Sequence, residues 1–213
     1  MKRIVVVDYG SGNLRSVAKA LEAVAKAGEE VRVSSDPAEV RAADRIVLPG
    51  QGAMSDCMRH LRDSGLEEAV REAFATKPVF AVCIGLQMLF EESEENNAKG
   101  LGIFPGRVIR FPDSAMRTAS GARLKVPEMG WNRVKQTMAH PLWAGIEDGA
   151  WFYLVHSYFA APEDPSLIAG LATYGLPYTS AVAKGNIFAT QFHPEKSAAA
   201  GLKLYENFIG WNP

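Results

Sequence analysis

Cys83 stands between an apolar run and a helical pattern, in the segment Val79-Phe80-Ala81-Val82-Cys83-Ile84-Gly85-Leu86-Gln87. Small residues lie two positions before it (Ala81) and two after it (Gly85), which suits a sharp strand-to-helix turn. A cysteine at such a turn lies at the start of the following helix, where the helix dipole and free N–H groups favour the thiolate. The segment therefore predicts a nucleophilic thiol. The alternative is an inert core cysteine, since free Cys often acts as a small buried hydrophobe.

His193 has the most suggestive surroundings of the four histidines, in Gln191-Phe192-His193-Pro194-Glu195-Lys196. A thiolate nucleophile needs a group that moves protons, and imidazole does this near neutral pH. Glu195 is close enough to orient the ring and to stabilise its protonated form. Taken alone, the pair also fits a loop histidine followed by a capping glutamate. Together with Cys83 it predicts a Cys-His-Glu triad.

A third segment could stabilise negative charge. Pro49-Gly50-Gln51-Gly52 follows an apolar run, and its glycines allow backbone N–H groups to face a ligand. Attack on a carboxamide creates an oxyanion that such donors stabilise. By itself the segment is equally typical of an ordinary strand-to-helix loop.

The elements that must position these residues alternate through the first half of the chain. Apolar runs predict strands over 4–7, 31–34, 45–48 and 78–82, and helical spacing predicts helices over 14–24, 54–61, 66–74 and 85–92, with a short helix opened by Asp36-Pro37. This alternation predicts an α/β fold with a mostly parallel sheet flanked by helices.

Beyond Lys99 the pattern changes to successive strands. They are predicted over 107–111, 131–134, 151–158, 167–173 and 181–192, with a hairpin turn at 184–186, before a closing helix over 198–209 that places Leu202, Tyr205 and Phe208 on one face. We therefore expect additional antiparallel strands in the C-terminal half, within a single domain spanning 1–213.

Composition limits the classes of function. The 213 residues are 47% hydrophobic and 22% charged, and 23 Lys and Arg against 24 Asp and Glu give a net charge of -1. No basic surplus favours nucleic acid or an anionic membrane as a partner. Two cysteines make no disulfide framework, which favours a cytoplasmic location. The cysteines and histidines are not spaced as metal ligands, so the sequence predicts no metal site.

Taken in order, these segments resemble the class I (triad-type) glutamine amidotransferases over essentially the whole chain. Within that family the chain is similar to the glutaminase subunits of histidine biosynthesis. Four further segments carry this closer resemblance: Asp8-Tyr9-Gly10-Ser11-Gly12-Asn13-Leu14, Leu89-Phe90-Glu91-Glu92-Ser93-Glu94-Glu95, Gly130-Trp131-Asn132 and His156-Ser157-Tyr158-Phe159. Three positions depart from the family: Ala81 replaces a usual Gly, Gln51 a common Val, and Glu128 a usual His.

The resemblance implies roles for individual residues. Cys83 is the implied nucleophile, His193 the general acid and base, and Glu195 its orienting carboxylate. The implied oxyanion donors are the backbone N–H groups of Gln51 and Ile84. The implied glutamine pocket comprises Gly50, Gly52, Gln87, Glu95, Ser157 and Tyr158.

The resemblance also implies an activity and a partner. The expected fold is flavodoxin-like, and the expected reaction is hydrolysis of L-glutamine to glutamate and ammonia through a cysteine thioester, without a cofactor. The ammonia would pass to a (β/α)8-barrel cyclase subunit in a heterodimer, which makes imidazole glycerol phosphate and aminoimidazole carboxamide ribotide. Because continuous hydrolysis would waste glutamine, we expect the turn at 49–52 to be misaligned until the partner docks.

Two other functions stay open at this point. One is a glutaminase of the same class that feeds a pyridoxal phosphate, anthranilate or similar synthase. The segments Asp8 to Leu14 and Gly130-Trp131-Asn132 argue against it. The other is a non-catalytic binding or regulatory module on the same scaffold, since a fold does not fix a function. The presence of Cys83, His193 and Glu195 together argues against it.

Overall fold

The computed structural model describes residues 1–213. The twelve strands are β1 Lys2–Val7, β2 Glu29–Ser34, β3 Arg45–Gly50, β4 Val79–Cys83, β5 Phe90–Ser93, β6 Phe104–Arg110, β7 Glu128–Gln136, β8 Ala150–His156, β9 Tyr158–Pro162, β10 Ile168–Tyr174, β11 Leu176–Lys184 and β12 Ile187–Thr190. The six helices are α1 Leu14–Val24, α2 Pro37–Ala42, α3 Met54–Asp63, α4 Glu67–Thr76, α5 Ile84–Gln87 and α6 Ala198–Gly210.

The predicted mostly parallel sheet is confirmed. Strands β2, β1, β3, β4 and β12 lie side by side in that order, and every pairing among them is parallel. All five residues of β4 are buried, as expected of a strand covered on both faces. The helices flank this sheet, with α1 packed against α6 and α2 against α4.

The antiparallel strands expected in the second half are also present. The sheet continues from β12 through β11, β10, β7 and β8, and each of these pairings is antiparallel. The hairpin predicted at 184–186 joins β11 to β12, and Gly185 takes a φ of +57° in its turn. Strands β5, β6 and β9 form a side layer that joins the main sheet where β9 pairs with β11.

The helix predicted over 85–92 is wrong beyond its first turn. Helix α5 ends at Gln87, and Phe90 begins strand β5, which pairs in parallel with β6. The reason is tertiary: the carbonyl of Met88 accepts a hydrogen bond from Leu101, and that of Leu89 accepts from Ile103. These bonds from a returning segment replace the helical ladder.

Two predicted strands differ in their bounds. The strand predicted over 151–158 is broken at Ser157, where the chain leaves β8 to pair Tyr158 with Arg110 of β6. The strand predicted over 181–192 starts earlier as β11, and β12 ends at Thr190. As a result, both Ser157 and Gln191 lie in bends rather than within strands.

The ends of two helices test the local sequence signals. Asp36 caps α2 as predicted, since its carboxylate accepts a 2.8 Å hydrogen bond from the N–H of Ala38. Of the three α6 residues predicted to share one face, Tyr205 and Phe208 are buried, whereas Leu202 is half-buried and Leu204 takes the core position. None of the helices has the length and apolar character needed to span a membrane.

Candidate active site

Cys83 occupies a strained bend between β4 and α5. Its backbone has a φ of +56° and a ψ of -110°, a conformation that a side chain makes unfavourable. Gly85 makes the bend possible, because a methyl group there would overlap the carbonyl oxygen of Leu48. The strand-turn-helix predicted from small residues around Cys83 is therefore present.

Ala81 replaces the glycine usual in the family without disturbing this bend. It is fully buried, and its Cβ would lie 3.5 Å from a Cβ on Gly85, an ordinary contact distance. The space needed at the elbow comes from Gly85 on one side and from Gly50 on the other. A Cβ on Gly50 would lie only 2.8 Å from both the backbone nitrogen of Gly85 and the Cβ of Ile84.

His193 and Glu195 form the predicted pair. The Nδ1 atom of His193 lies 2.9 Å from Oε1 of Glu195, and the two side chains are 6% and 1% exposed. Since a carboxylate only accepts hydrogen bonds, Nδ1 carries the proton and Nε2 is left as the basic atom. That Nε2 atom is buried and has no hydrogen-bond partner within the protein. It is therefore available to the sulfur or to a bound substrate.

Tyr205 supports this pair from helix α6. Its hydroxyl donates to Oε2 of Glu195 over 3.4 Å, and the side chain is fully buried. Burial, followed by the neighbouring charge of Glu195, raises the pKa of Tyr205 well above its ordinary value, so it remains a donor. The sequence placed Tyr205 on one face of the closing helix with Leu202 and Phe208 but gave no sign of this contact.

The electrostatics of the site favour a charged His193. Burial by itself lowers the pKa of this imidazole, but the Cys83 thiolate and the Glu195 carboxylate outweigh burial and raise the pKa to about 10. A protonated imidazole beside a thiolate is the state in which a cysteine nucleophile is ready to attack.

The turn at 49–52 is held by the loop that follows β1. The Tyr9 hydroxyl donates to the carbonyl of Pro49 over 2.7 Å. The carbonyl of Gln51 lies 3.0 Å from the Ser11 hydroxyl and 3.3 Å from the Cys57 thiol, both of which donate to it. The segment Asp8 to Leu14 thus buttresses the predicted oxyanion turn.

A cavity of about 320 Å³ opens beside the sulfur, a volume within the range of small-molecule sites. Its lining contains nine of the residues that the sequence nominated: Gln51, Gly52, Cys83, Ile84, Gln87, Glu95, Ser157, Tyr158 and His193. Two nominated residues lie behind the wall. Glu195 stands behind His193, and Gly50 packs against the elbow instead of facing the cavity.

Four lining residues were not nominated: Pro127, Val155, His156 and Lys196. Pro127 and Val155 come from the β7 and β8 ends of the same hairpin, which forms one wall of the cavity. Lys196 follows Glu195 directly, and its ammonium lies 5.7 Å from the centre of the Tyr153 ring. No local pattern marks Pro127 or Val155, because only the folding of the hairpin brings them here.

Two polar side chains in the lining could bind a substrate, those of Gln87 and Glu95. Gln87 is only 1% exposed, and its buried Oε1 atom has no hydrogen-bond partner within the protein. The Oε2 atom of Glu95 accepts a 3.0 Å hydrogen bond from the N–H of Met54 at the start of α3. This fixes the carboxylate at the cavity edge and leaves Oε1 for a ligand.

Glu128 lies in the interior, although its neighbours Met129 and Trp131 are exposed. It is 3% exposed and accepts hydrogen bonds from Tyr178 over 2.7 Å and from Asn132 over 2.8 Å. Its carboxylate also lies 3.4 Å from Nε2 of His156. The departure from the family at this position therefore changes a buried polar cluster rather than the outer face of the hairpin.

The fold and this site together define the class of protein. A sequence model of the family described as Glutamine amidotransferase class-I matches residues 5–210, so the chain belongs to that family. The solved structure of PurLQS from Thermotoga maritima has the same fold, with a TM-score of 0.71 and 17% identity over 98% of both chains.

Curated relatives narrow the placement. The imidazole glycerol phosphate synthase subunit HisH of Aromatoleum aromaticum is 61% identical over 100% of both chains. The HisH subunit of Dechloromonas aromatica is 58% identical over 99% of this chain and 97% of its own. Identity at this level over the full length places the chain among the HisH subunits, which are glutamine amidotransferases of histidine biosynthesis.

Proposed function

We propose that the chain hydrolyses L-glutamine to glutamate and ammonia, with Cys83 as nucleophile, His193 as general acid and base, and Glu195 as the orienting carboxylate. The observation that carries the proposal is the strained Cys83 at the wall of a cavity that also contains His193, itself hydrogen-bonded to buried Glu195.

Before the first stage the Cys83 proton already lies on Nε2 of His193, in keeping with the raised pKa of that imidazole. The resulting thiolate attacks the side-chain amide carbon of glutamine, and a carbon–sulfur bond forms as the carbonyl oxygen becomes an oxyanion. The N–H groups of Gln51 and Ile84 stabilise that oxyanion, Ile84 being the first residue of α5, where N–H groups have no intrahelical acceptor. The imidazolium then protonates the nitrogen, the carbon–nitrogen bond breaks, and ammonia leaves.

In the second stage water releases glutamate. Neutral His193 takes a proton from a water molecule, whose oxygen attacks the thioester carbon. The carbon–sulfur bond breaks, the sulfur leaves as thiolate, and the imidazolium again stands beside it. The ring orientation set by the 2.9 Å bond to Glu195 serves both stages, because Nε2 faces the reacting atoms throughout.

The cavity supplies groups for the ends of the substrate. The unpartnered Oε1 of Gln87 can accept an N–H of glutamine, and the remaining oxygen of Glu95 suits its α-ammonium group. Ser157 and Tyr158 line the cavity where the break between β8 and β9 turns the chain, and Gly52 lines it as well. Gly50 acts indirectly, by letting β3 approach the elbow.

We further propose a (β/α)8-barrel cyclase subunit as the partner that receives the ammonia and makes imidazole glycerol phosphate and aminoimidazole carboxamide ribotide. The relatives are named as subunits of imidazole glycerol phosphate synthase, which supports a multi-subunit enzyme. On the β7–β8 hairpin, Met129, Trp131 and Trp151 are 66%, 51% and 50% exposed. Large apolar side chains gathered in one patch are typical of an interface.

The same hairpin touches the catalytic loop. The N–H of His193 donates to the carbonyl of Tyr153 over 2.9 Å, and the Tyr153 N–H donates to the Ser197 hydroxyl over 3.0 Å. A partner bound to Trp131 and Trp151 would therefore contact the same hairpin whose Tyr153 is hydrogen-bonded to the backbone of His193.

The resting turn supports control by that partner. Reorienting the Gln51 carbonyl would break its hydrogen bonds from Ser11 and Cys57, so we propose that docking supplies the contacts that replace them. Ser11→Ala should raise glutamine hydrolysis by the isolated chain several-fold and leave the rate of the complex nearly unchanged. A lower rate in both states would contradict this control.

We retain a single amidotransferase domain over 1–213, supported by one buried apolar cluster that joins β1, β4 and α6. The cytoplasm remains the proposed location, supported by the free thiols of Cys57 and Cys83. No observation favours the other synthases or a non-catalytic module.

A glutamine-like chloroketone tests the activity. In the complex it should label Cys83 alone, glutamine should protect that residue, and Cys57, which is buried and unpaired, serves as the internal control. Co-purification tests the partner separately. Glutamine turnover that persists in Cys83→Ala would refute the proposed nucleophile.

A further inference from the structure

Gln191 lies against the sulfur of Cys83. The parallel pairing of β12 with β4 aligns Thr190 with Val82, so the next residues along, Gln191 and Cys83, stand side by side. The Nε2 atom of Gln191 is 3.7 Å from Sγ of Cys83, and Gln191 is fully buried. No role is assigned to this amide in the reaction described above.

A backbone carbonyl determines which end of the Gln191 amide faces the sulfur. The carbonyl of Tyr158 can only accept, so the Gln87 atom 3.1 Å from it must be the nitrogen Nε2. The same nitrogen lies 3.1 Å from the Gln191 side chain and donates its second hydrogen there. The Gln191 atom that receives it must be the oxygen, which leaves the Gln191 NH2 group facing Cys83.

His156 fixes the carbonyl that starts this chain of hydrogen bonds. Its Nδ1 atom lies 2.8 Å from the Tyr158 oxygen and must donate to it. The ring is held from its other side by Tyr178 and Glu128, both buried. The orientation of Gln191 therefore follows from a continuous series of polar contacts that begins at Glu128 on β7.

We propose that Gln191 is a further catalytic residue, whose side-chain N–H donates to the Cys83 thiolate and stabilises it. This inference rests on the proposed glutaminase function. Helix α5 has only four residues, so its dipole supplies less stabilisation than the longer helix predicted from the sequence would. A charge-assisted hydrogen bond from Gln191 adds stabilisation of the thiolate from the side of β12.

Other charged and titratable groups surround the sulfur and must be held constant in any test. His193 faces it from the loop after β12, and Tyr9 approaches from the loop after β1. Glu95, His156 and Lys196 line the same cavity. Gln191 itself does not titrate, so its substitution changes hydrogen bonding without adding a proton site.

The test measures the rate at which iodoacetamide alkylates Cys83 in the full chain as a function of pH, with the labelled peptide identified by mass. Gln191→Met removes the donor at similar volume and should move the acid-side midpoint up by about one pH unit. Gln191→Glu places a carboxylate beside the sulfur and should move it further. Thr190→Val, which removes a neighbouring buried hydroxyl that bonds to Phe192, should leave the midpoint unchanged.

A midpoint for Gln191→Met equal to that of Thr190→Val would overturn the proposal. If Gln191→Met does not fold, Gln87→Leu replaces it. Loss of the Gln87 donor frees the Gln191 amide to rotate, so this variant should also raise the midpoint. An unchanged midpoint in Gln87→Leu would likewise overturn the proposal. Iodoacetamide needs no glutamine turnover, so the result stands apart from the glutaminase assay. Absence of glutamine hydrolysis would refute the proposed function. The hydrogen bond from Gln191 to Cys83 would still be tested by the pH dependence of alkylation.

Discussion

Gly85 lies directly beneath the carbonyl oxygen of Leu48, so that any side chain at Gly85 would overlap strand β3. This contact joins β3, which precedes the proposed oxyanion turn, to α5, which follows the proposed nucleophile Cys83. The distance between the two parts of the site is therefore set by backbone packing rather than by flexible side chains.

The first prediction concerns this contact. Gly85→Ala should lower the free energy of unfolding by about 3 kcal/mol or more, since neither backbone can move without distorting the sheet. It should also abolish labelling of Cys83 in the fraction that folds. Urea unfolding and mass mapping measure the two effects.

Ala81→Gly provides the matched control on the other side of the bend. Because the Ala81 methyl group already fits, this change should cost only about 0.5–1 kcal/mol, from added freedom in the unfolded chain. Equal losses for the two variants would mean that the bend has no special requirement at Gly85.

The second prediction concerns the carboxylate behind His193. Glu195→Gln keeps the shape of the side chain but removes the charge that helps to hold the pKa of His193 at about 10. We expect kcat for glutamine to fall about 10²–10⁴-fold with a smaller change in KM. Because protonated His193 must supply the leaving nitrogen, the parent rate should fall as the pH rises through about 10, and the variant rate at a lower pH.

Steady-state rates across pH measure this effect in the complex. Glu206→Gln is the control, since Glu206 lies on the same helix as Tyr205 but pairs with Lys203 and Lys26 at the surface. If the rate of Glu195→Gln falls at the same alkaline pH as the rate of the parent, the Glu195 carboxylate does not raise the pKa of His193.

The third prediction concerns the apolar patch on the β7–β8 hairpin that we propose faces the partner. Trp131→Ala should weaken binding of the proposed cyclase partner about 10- to 100-fold, as expected for an aromatic anchor at an interface. Val33→Ala is the control: Val33 is also exposed, at 44%, but lies on β2 at the opposite edge of the sheet. Calorimetric titration of the two subunits compares them, and equal affinities for both variants would remove the hairpin from the interface.

The fourth prediction concerns stability in acid. Burial lowers the pKa of His140 to about 4, against 6.5 for an exposed histidine. Between those values the unfolded chain binds the proton and the folded chain does not, so stability falls as the pH falls. The contribution is complete above pH 6.5 and is lost on the way to pH 4; with solvent screening of the half-buried ring it amounts to about 2–3 kcal/mol in total.

His140→Asn isolates this contribution. His140 accepts a 3.1 Å hydrogen bond from the N–H of Leu142 at the start of a 3-10 turn, and asparagine is a good acceptor in that position. The variant should therefore lose less stability than the parent between pH 7 and pH 4 when urea unfolding is measured at each pH. Parallel losses would assign the acid sensitivity to other groups.

Local chemistry determined much of this protein. The apolar run into Cys83 between two small residues specified the elbow, Asp36-Pro37 specified a helix start, and Lys184-Gly185-Asn186 specified a hairpin. Each of these structures depends on residues within a few positions of one another, so it can be predicted from the sequence alone. The alternation of strands and helices specified the parallel sheet for the same reason.

Tertiary structure decided what depends on strand order. Cys83 and His193 are 110 positions apart, and they meet because β12 inserts beside β4. The same pairing sets Gln191 against the sulfur, a contact that no local pattern could indicate. The end of α5 likewise follows from hydrogen bonds to a distant returning segment, and the burial of Glu128 from the packing of Tyr178. Such contacts join residues that are remote in the chain, so their geometry exists only once the sheet has formed.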